Sequence, residues 1–238
     1  KVAYGTFPSV EYRHEEAEFW IPSNADGKIQ YQEPVDLTYF LMMPKPDPGR
    51  GILPPFKTLI FQHALGVCKE TMIAMANSMA ERGIATIGID VASLGSRTTD
   101  WDGKCVQDPQ DFLRLDNPLA GRDNFRQTIV DQFRFVKMLK ALEVDFLEPF
   151  GENDLDTKEL AYAGQSLGAI IGAMFVPLEP DVGAAVLNVG GGGIYNIALS
   201  FLGGAESGSD SFAEMPNVLL EFLGIAQTML EPEIGRAH

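Results

Sequence analysis

Short runs rich in apolar residues alternate with segments of helical periodicity along most of this chain, and that alternation constrains the fold more than any other feature. The short runs, which show no polar alternation, lie at 58–61, 84–89, 160–163 and 184–189. The segments with apolar residues at helical spacing lie at 69–82, 122–142, 167–175 and 218–230. Because runs without alternation suit strands covered on both faces, the sequence predicts an α/β fold with a mostly parallel sheet and flanking helices.

The N-terminal part has a different pattern. Aromatic and branched residues at 17–20 and 35–43 flank a turn signal at 24–27, which predicts an antiparallel pair of strands. We therefore divide the chain into an arm with antiparallel strands at 1–50 and an α/β core at 51–238. The glycine-rich stretch at 190–217 is expected to form a lid-like loop over that core.

Charge and hydropathy exclude several functions. The chain of 238 residues has 33 acidic and 18 basic residues and a net charge of −15, so we expect binding neither to nucleic acid nor to an anionic membrane. Its longest clean apolar stretch, 169–178, is about half of what a transmembrane helix needs. We find no complete calcium loop at 100–103 or 153–156 and no nucleotide-binding motif. No metal and no cofactor are expected.

The strongest local signal surrounds Ser166. A predicted strand ends in Gly164-Gln165-Ser166-Leu167-Gly168, and an apolar helix begins at once. In this context G-x-S-x-G is typical of a nucleophilic serine on a tight turn, while the alternative is a helix N-cap serine. The backbone N–H groups of Leu167 and Leu65, with Ala64 as the fallback for Leu65, are the candidate oxyanion hole.

These motifs resemble the α/β-hydrolase superfamily, and more narrowly bacterial lipases and esterases related to the virulence-factor lipases. The resemblance extends over about residues 35–193 and rests on 61–70, 82–90, 117–126 and the sequence around Ser166. It implies that His63 braces the oxyanion loop through its ring. Similar proteins usually have His-Gly where this chain has His63-Ala64, so a methyl group enters that loop.

The resemblance also implies a catalytic acid and histidine after the serine, each following a later strand. Only His238 follows Ser166, at the terminal position, where a rigid geometry is not expected. We therefore expect an incomplete hydrolase domain that lacks its last strands, with the acid and histidine outside this chain. A complementary C-terminal fragment or a second copy of the chain is the expected partner.

The function expected from these residues is hydrolysis of carboxylic esters, either small-molecule or lipid-like, by a serine nucleophile. Two alternatives stay open: a non-catalytic hydrolase-like binding or assembly module, and a peptidase or thioesterase on the same scaffold.

Three further features are expected to have structural rather than catalytic roles. Cys68 and Cys105 are expected to be free thiols, although both fall in loops at one end of the sheet. A bridge between them stays open and would favour a secreted or periplasmic location. Asp90 is expected to brace a loop rather than to line the substrate site. The run that contains Arg122, Asp123 and Arg126 is expected to form a structural ion pair.

Overall fold

The computed structural model describes residues 1–15, 21–98, 101–114, 116–150 and 153–191. Within these residues six strands form one sheet: β1 Val2–Glu11, β2 Glu33–Met42, β3 Phe56–Gln62, β4 Ile84–Ile89, β5 Leu155–Gln165 and β6 Val182–Asn188. The helices are α1 Ile73–Ala80, α2 Gln110–Leu113, α3 Pro118–Ala141 and α4 Leu167–Phe175. Among the described residues, none of the helices has both the length and the apolarity that a bilayer span requires.

The strand order in the sheet is β1-β2-β4-β3-β5-β6. β1 pairs antiparallel with β2 and β2 antiparallel with β4, whereas β4, β3, β5 and β6 pair parallel with their neighbours. The predicted α/β class, with a mostly parallel sheet and an N-terminal antiparallel pair, is confirmed. Because β2 pairs directly with β4, the N-terminal strands extend the same sheet as the core.

The N-terminal pair is not made of the strands that the sequence predicted. The partner of β2 is β1, at the start of the chain, while 17–20 lies outside the described residues. Gly5 and Pro8 argue against a strand in the sequence, but β1 is an edge strand, where a proline removes no ladder hydrogen bond that the sheet needs. The turn at 24–27 is present, with the Gly27 N–H donating to the Asn24 carbonyl at 2.9 Å.

The core elements follow the sequence more closely. β4 and α4 have the predicted bounds, and β5 is longer than predicted. α3 begins before residue 122 because Asn117 caps it by accepting from the Ala120 N–H and Pro118 occupies its first turn. The predicted helix at 218–230, most of the glycine-rich stretch and His238 lie outside the described residues.

Alternating side chains of the strands build a core on each face of the sheet. Ile60 of β3 belongs to the larger cluster, which includes residues of α3 and α4 such as Phe135 and Phe175. The next residue, Phe61, packs on the other face with Phe40 and Met72. Since successive strand side chains point to opposite faces, helices cover both sides of the parallel strands.

Candidate active site

The carboxyl ends of β3, β4 and β5 lie at one edge of the sheet, because the three strands run parallel and are neighbours. The loops that leave these ends begin at His63, Asp90 and Ser166. In open α/β sheets this edge is where ligands bind. The structure therefore places at one edge the three loops in which the sequence suggested functional residues.

Ser166 lies on a sharp turn between β5 and α4. Its backbone has φ 54° and ψ −110°, a conformation that costs a residue with a side chain of the order of 1–3 kcal/mol. The turn is fixed on both sides, since the Ser166 N–H donates to the Asn188 carbonyl at 2.9 Å and its carbonyl accepts from the Ala169 N–H at 2.9 Å. The serine is partly exposed, so its hydroxyl is accessible from outside the core.

The glycines on either side of Ser166 are required by close packing. A Cβ at Gly168 would lie 2.2 Å from the Gln62 carbonyl oxygen of β3, and a Cβ at Gly164 would lie 2.2 Å from the carbonyl oxygen of Gly168. Tyr162, which is fully buried, donates its hydroxyl to that same Gly168 oxygen at 2.7 Å. The spacing of glycines that singled out Ser166 in the sequence therefore has a packing reason in the fold.

The loop after β3 is attached to the end of β4 through the ring of His63, which is fully buried. The Val91 N–H donates to Nε2 at 3.1 Å, and Nδ1 lies 2.7 Å from the Ala64 carbonyl oxygen. Since Nε2 accepts, Nδ1 must carry the proton and donate to Ala64, which makes the ring neutral. Burial lowers the pKa of His63 more than the nearby Asp90 carboxylate raises it.

The two candidate oxyanion donors lie beside one apolar cluster. Leu167 is a buried member of this cluster and Leu65 packs against it. None of the described residues accepts a hydrogen bond from the Leu65 N–H. The Leu167 N–H belongs to the first turn of α4, where N–H groups have no partner within the helix. Within the described parts of the chain, neither amide has a hydrogen-bond acceptor.

A buried carboxylate ties the end of the β3 loop to the loop after β4. Asp90, at the end of β4, accepts from the Lys69 N–H and from Lys69 Nζ, both at 2.7 Å. It also accepts from the Ser96 N–H and hydroxyl, both at 2.8 Å. The bracing role that we favoured for Asp90 is the one its contacts show.

The charges of this network support one another. Burial by itself raises the pKa of Asp90, but the neighbouring His63 ring and the charge and hydrogen bonds of Lys69 outweigh it, so that the pKa lies below its ordinary value. Gly95 packs directly on the carboxylate, since a Cβ there would lie 2.1 Å from Asp90 Cγ, and its φ is +57°. The carboxylate therefore stays ionised and fills a space that only glycine leaves open.

Sequence reasoning missed Lys69 and Gly95. Lys69 is only 2% exposed, which is rare for a lysine and requires a charged partner. The sequence offered one signal of the close packing on Asp90, which is the glycine at position 95. In the structure this residue has a positive φ.

The expectation of two free thiols is wrong. Cys68 and Cys105 form a disulfide with a Cα–Cα separation of 4.9 Å and a sequence separation of 37. The bridge joins the β3 loop to the segment before α2, two regions whose proximity only the fold establishes. Glu70 lies next to the two sulfur atoms, but bonded sulfurs are not thiolate ligands, so this group is not a metal site.

Two other acidic groups have structural partners. Asp123 pairs with Arg122 at 2.8 Å and with Arg126 at 3.2 Å, as expected, and its second oxygen accepts from the Ile21 N–H. Asp154 is buried and accepts from two backbone N–H groups of the preceding turn. Its oxygens hold that turn and face no cation among the described residues.

The two described histidines are both engaged. His63 uses its two ring nitrogens as above, and the ring of His14 packs edge-to-face on Tyr31, with centroids 4.1 Å apart. His238 lies outside the described residues. A histidine and an acid that activate Ser166 thus stay predictions.

The strand–turn–helix arrangement around Ser166 is the one that the resemblance to α/β-hydrolases predicted, and the mostly parallel six-stranded sheet agrees with the fold class expected from it. The closer relation to virulence-factor lipases stays a prediction. No protein-family model matches the chain, and no curated protein matches it.

Solved structures of hydrolases are similar to it at low sequence identity. A 2,6-dihydroxy-pseudo-oxynicotine hydrolase is 15% identical, with a TM-score of 0.46, over 84% of this chain and 45% of that one. Acetyl xylan esterase 1 from Thermoanaerobacterium sp. is 16% identical, with a TM-score of 0.49, over 84% of this chain and 60% of the esterase. A carboxyl esterase from Bacillus coagulans is 13% identical, with a TM-score of 0.45, over 89% of this chain and 55% of the esterase. The chain thus spans about half the length of these proteins.

Proposed function

We propose that the protein is a serine hydrolase that cleaves carboxylic esters, with Ser166 as the nucleophile. The observation that carries this proposal is the backbone of Ser166, a non-glycine residue with positive φ on a tight turn between a central strand and a helix. Strain of this kind persists where the surrounding structure enforces it, and it is characteristic of functional sites. A serine that only capped the helix would not need this conformation, and the Ser166 side chain makes no cap hydrogen bond.

In the proposed reaction Ser166 Oγ attacks the acyl carbon and loses its proton to a general base. The tetrahedral intermediate carries its negative oxygen between the N–H groups of Leu65 and Leu167, and the base then returns the proton to the leaving alcohol. Water next attacks the acyl-enzyme, and the acid product leaves. Each oxyanion donor typically contributes roughly 3–4 kcal/mol to stabilisation of the transition state.

The contacts around Asp90 support a role for His63, Lys69 and Asp90 in positioning the oxyanion loop rather than in the chemical steps. His63 fixes the start of the oxyanion loop, which we define as residues 63–69, and Lys69 fixes its end through Asp90. Both anchors are buried. A loop held at both ends presents its amides without reorganisation during the reaction, which is how such donors gain their effect.

Apolar surroundings favour hydrophobic esters as substrates. Leu65 and Leu167 flank the proposed oxyanion hole, and the cluster they belong to includes Val91, Leu94 and Phe125. The disulfide favours an oxidising compartment, so we propose a secreted or periplasmic location. The catalytic acid and histidine, the lid at 190–217 and any completing partner are part of this proposal.

The test compares ester turnover by the full-length protein with that of Ser166→Ala, using p-nitrophenyl acetate and p-nitrophenyl esters of longer acyl chains. We expect Ser166→Ala to lose at least about 10⁴-fold in kcat while its circular dichroism stays native. Ser78→Ala, on the exposed face of α1, is the matched control and should retain full activity. Equal turnover by Ser166→Ala and wild type would reject the proposal.

A non-catalytic hydrolase-like module is the second candidate, because both described histidines are engaged in other contacts. This candidate predicts no ester turnover by the wild-type protein itself, a result that the same assay reports. Preference for thioesters or peptides over esters in the same assay would instead favour the thioesterase or peptidase alternative.

A further inference from the structure

The oxyanion loop is anchored by side chains at its two ends, but its middle lies against a third segment. The Gly66 carbonyl accepts from the Gln107 N–H at 2.9 Å. A Cβ at Gly66, whose φ is +72°, would lie 3.1 Å from the Gln107 carbonyl oxygen and 3.3 Å from Pro109 Cγ. The backbone next to Leu65 therefore rests directly on residues 107–109.

The segment 101–109, which provides this support, is itself weakly held. It contains no strand and only the start of a helical turn, and the side chain of Lys104 and the whole of Val106 are about four-fifths exposed, at 79% and 82%. Among its described contacts, Gln107 Oε1 accepts from the Gly95 N–H. Such a segment has few buried contacts that could keep it in one place.

The disulfide supplies the missing restraint. Cys68 is buried at the end of the oxyanion loop, and Cys105 lies two residues before Gln107. The disulfide thus joins the segment 101–109 to the oxyanion loop that rests on this segment. Leu65 and Gly66 lie between two fixed points of the loop, His63 and Cys68. Cys105 is partly exposed, so a reductant can reach the bridge.

We propose that the Cys68–Cys105 disulfide is a positioning element of the oxyanion loop, which keeps the Leu65 amide in place for catalysis by holding residues 105–109 beneath Gly66. This inference rests on the proposed function of Ser166. Reduction by a dithiol such as dithiothreitol converts the bridge into two thiols, and the reagent is oxidised to its cyclic disulfide, so that two electrons and two protons are transferred. The loop then loses its support while Ser166 and its turn stay intact.

The kinetic test measures kcat and KM for a p-nitrophenyl ester before and after reduction, with thiol titration to show that two thiols have formed. We expect kcat to fall about tenfold with KM within twofold, because the amide acts on the transition state more than on bound substrate. Leu139→Ala, in the large core remote from the site, is the control for lost stability and should keep its kcat at temperatures where it is folded. An unchanged kcat in the reduced protein overturns the proposal.

Hydrogen exchange gives a readout that does not depend on activity. Reduction should speed exchange of the Gln107 N–H, which donates to the Gly66 carbonyl, by about tenfold and leave β4 protected. Unchanged exchange at Gln107 overturns the proposal. If reduction changes the exchange but the oxidised protein hydrolyses no ester, the bridge holds the loop and it is the proposed function that has failed.

Gly66→Ala covers the case in which the reduced protein unfolds. Its Cβ pushes the oxyanion loop away from Gln107 while the bridge stays closed, so we expect a similar fall in kcat with native circular dichroism. Native kcat in Gly66→Ala contradicts the proposal.

Discussion

The two ends of the parallel strands differ in how they hold their loops. At the carboxyl end, the charged groups of Lys69 and Asp90 are buried and bonded to each other beside the buried neutral ring of His63, and each of the three residues is at most 2% exposed. At the amino end, the arginines are exposed and reach only backbone carbonyls, as Arg82 does to Ser78. The one buried charged residue described there, Asp154, accepts only backbone N–H groups.

This difference indicates which end the fold keeps rigid for chemistry. Burying charges costs free energy that apolar packing would not, so a network of them is an inefficient way to gain stability. It does fix side chains and loops in one arrangement, which a preorganised oxyanion hole requires. Asp154, at the amino end, is instead a single buried carboxylate that fixes only the turn before it through backbone N–H groups.

The largest expected contrast comes from the same substitution at both ends. Asp90→Asn leaves the buried Lys69 with only the partly exposed Glu70 as an anionic partner and should lower the free energy of unfolding by about 3–5 kcal/mol, with about a tenfold fall in kcat. Asp154→Asn keeps an accepting oxygen and should cost about 1–2 kcal/mol with kcat unchanged. Urea unfolding and ester turnover measure both. Equal effects of the two variants on kcat would remove the functional distinction between the ends.

A glycine pair tests the packing of the two ends. Gly168→Ala places a Cβ against the Gln62 backbone and should cost about 3 kcal/mol, together with loss of activity. Gly83→Ala, at the amino end, meets only an ordinary contact at 3.8 Å and should cost about 1 kcal/mol, from its positive φ alone. Thermal unfolding separates the two values. A Gly168→Ala protein as stable and active as Gly83→Ala would show that strand and helix are not in close contact at Ser166.

The smallest expected effect is the pH dependence of the carboxyl end. Burial lowers the pKa of His63 in the folded protein, so the unfolded chain binds that proton first as the pH falls. The stability that depends on the neutral ring is thus complete above the ordinary pKa of about 6.5 and is lost as the pH falls from there towards the folded pKa. Asp90, whose pKa is also below its ordinary value, loses its contribution only in stronger acid, below about 3.9.

Urea unfolding of wild type and His63→Gln from pH 7 to 5 measures this dependence. We expect stability to decline with acid in wild type and to decline less in the variant, which lacks the titrating ring. Parallel curves would show that His63 is not the group responsible.

The sequence predicted what depends on local chemistry. The bounds of β4 and α4 followed from a short apolar run and a helical period, and the turn at Ser166 followed from glycines two residues to either side. β1 was missed because Gly5 and Pro8 are poor strand residues whose cost depends on an edge position that the sequence does not reveal.

The parts of the candidate site that could not be predicted are contacts between distant segments. Lys69 and Asp90 are 21 residues apart and Cys68 and Cys105 are 37 apart, and each pair meets only because β3 and β4 are parallel neighbours. A lysine at the start of a predicted helix carries no local sign that it is buried. The sequence likewise leaves open whether Cys68 and Cys105 are free or bridged, because no local feature shows that the two residues are close.

The central claim is that the hydroxyl of Ser166 attacks acyl groups, and covalent labelling followed by peptide mapping tests it most directly. Treated with a fluorophosphonate, the full-length protein should gain one phosphonyl group, found by mass spectrometry on the peptide that contains Ser166, and heat-denatured protein should gain none. A protein that hydrolyses esters while Ser166 stays unmodified, or that carries the label on another residue, would contradict the account.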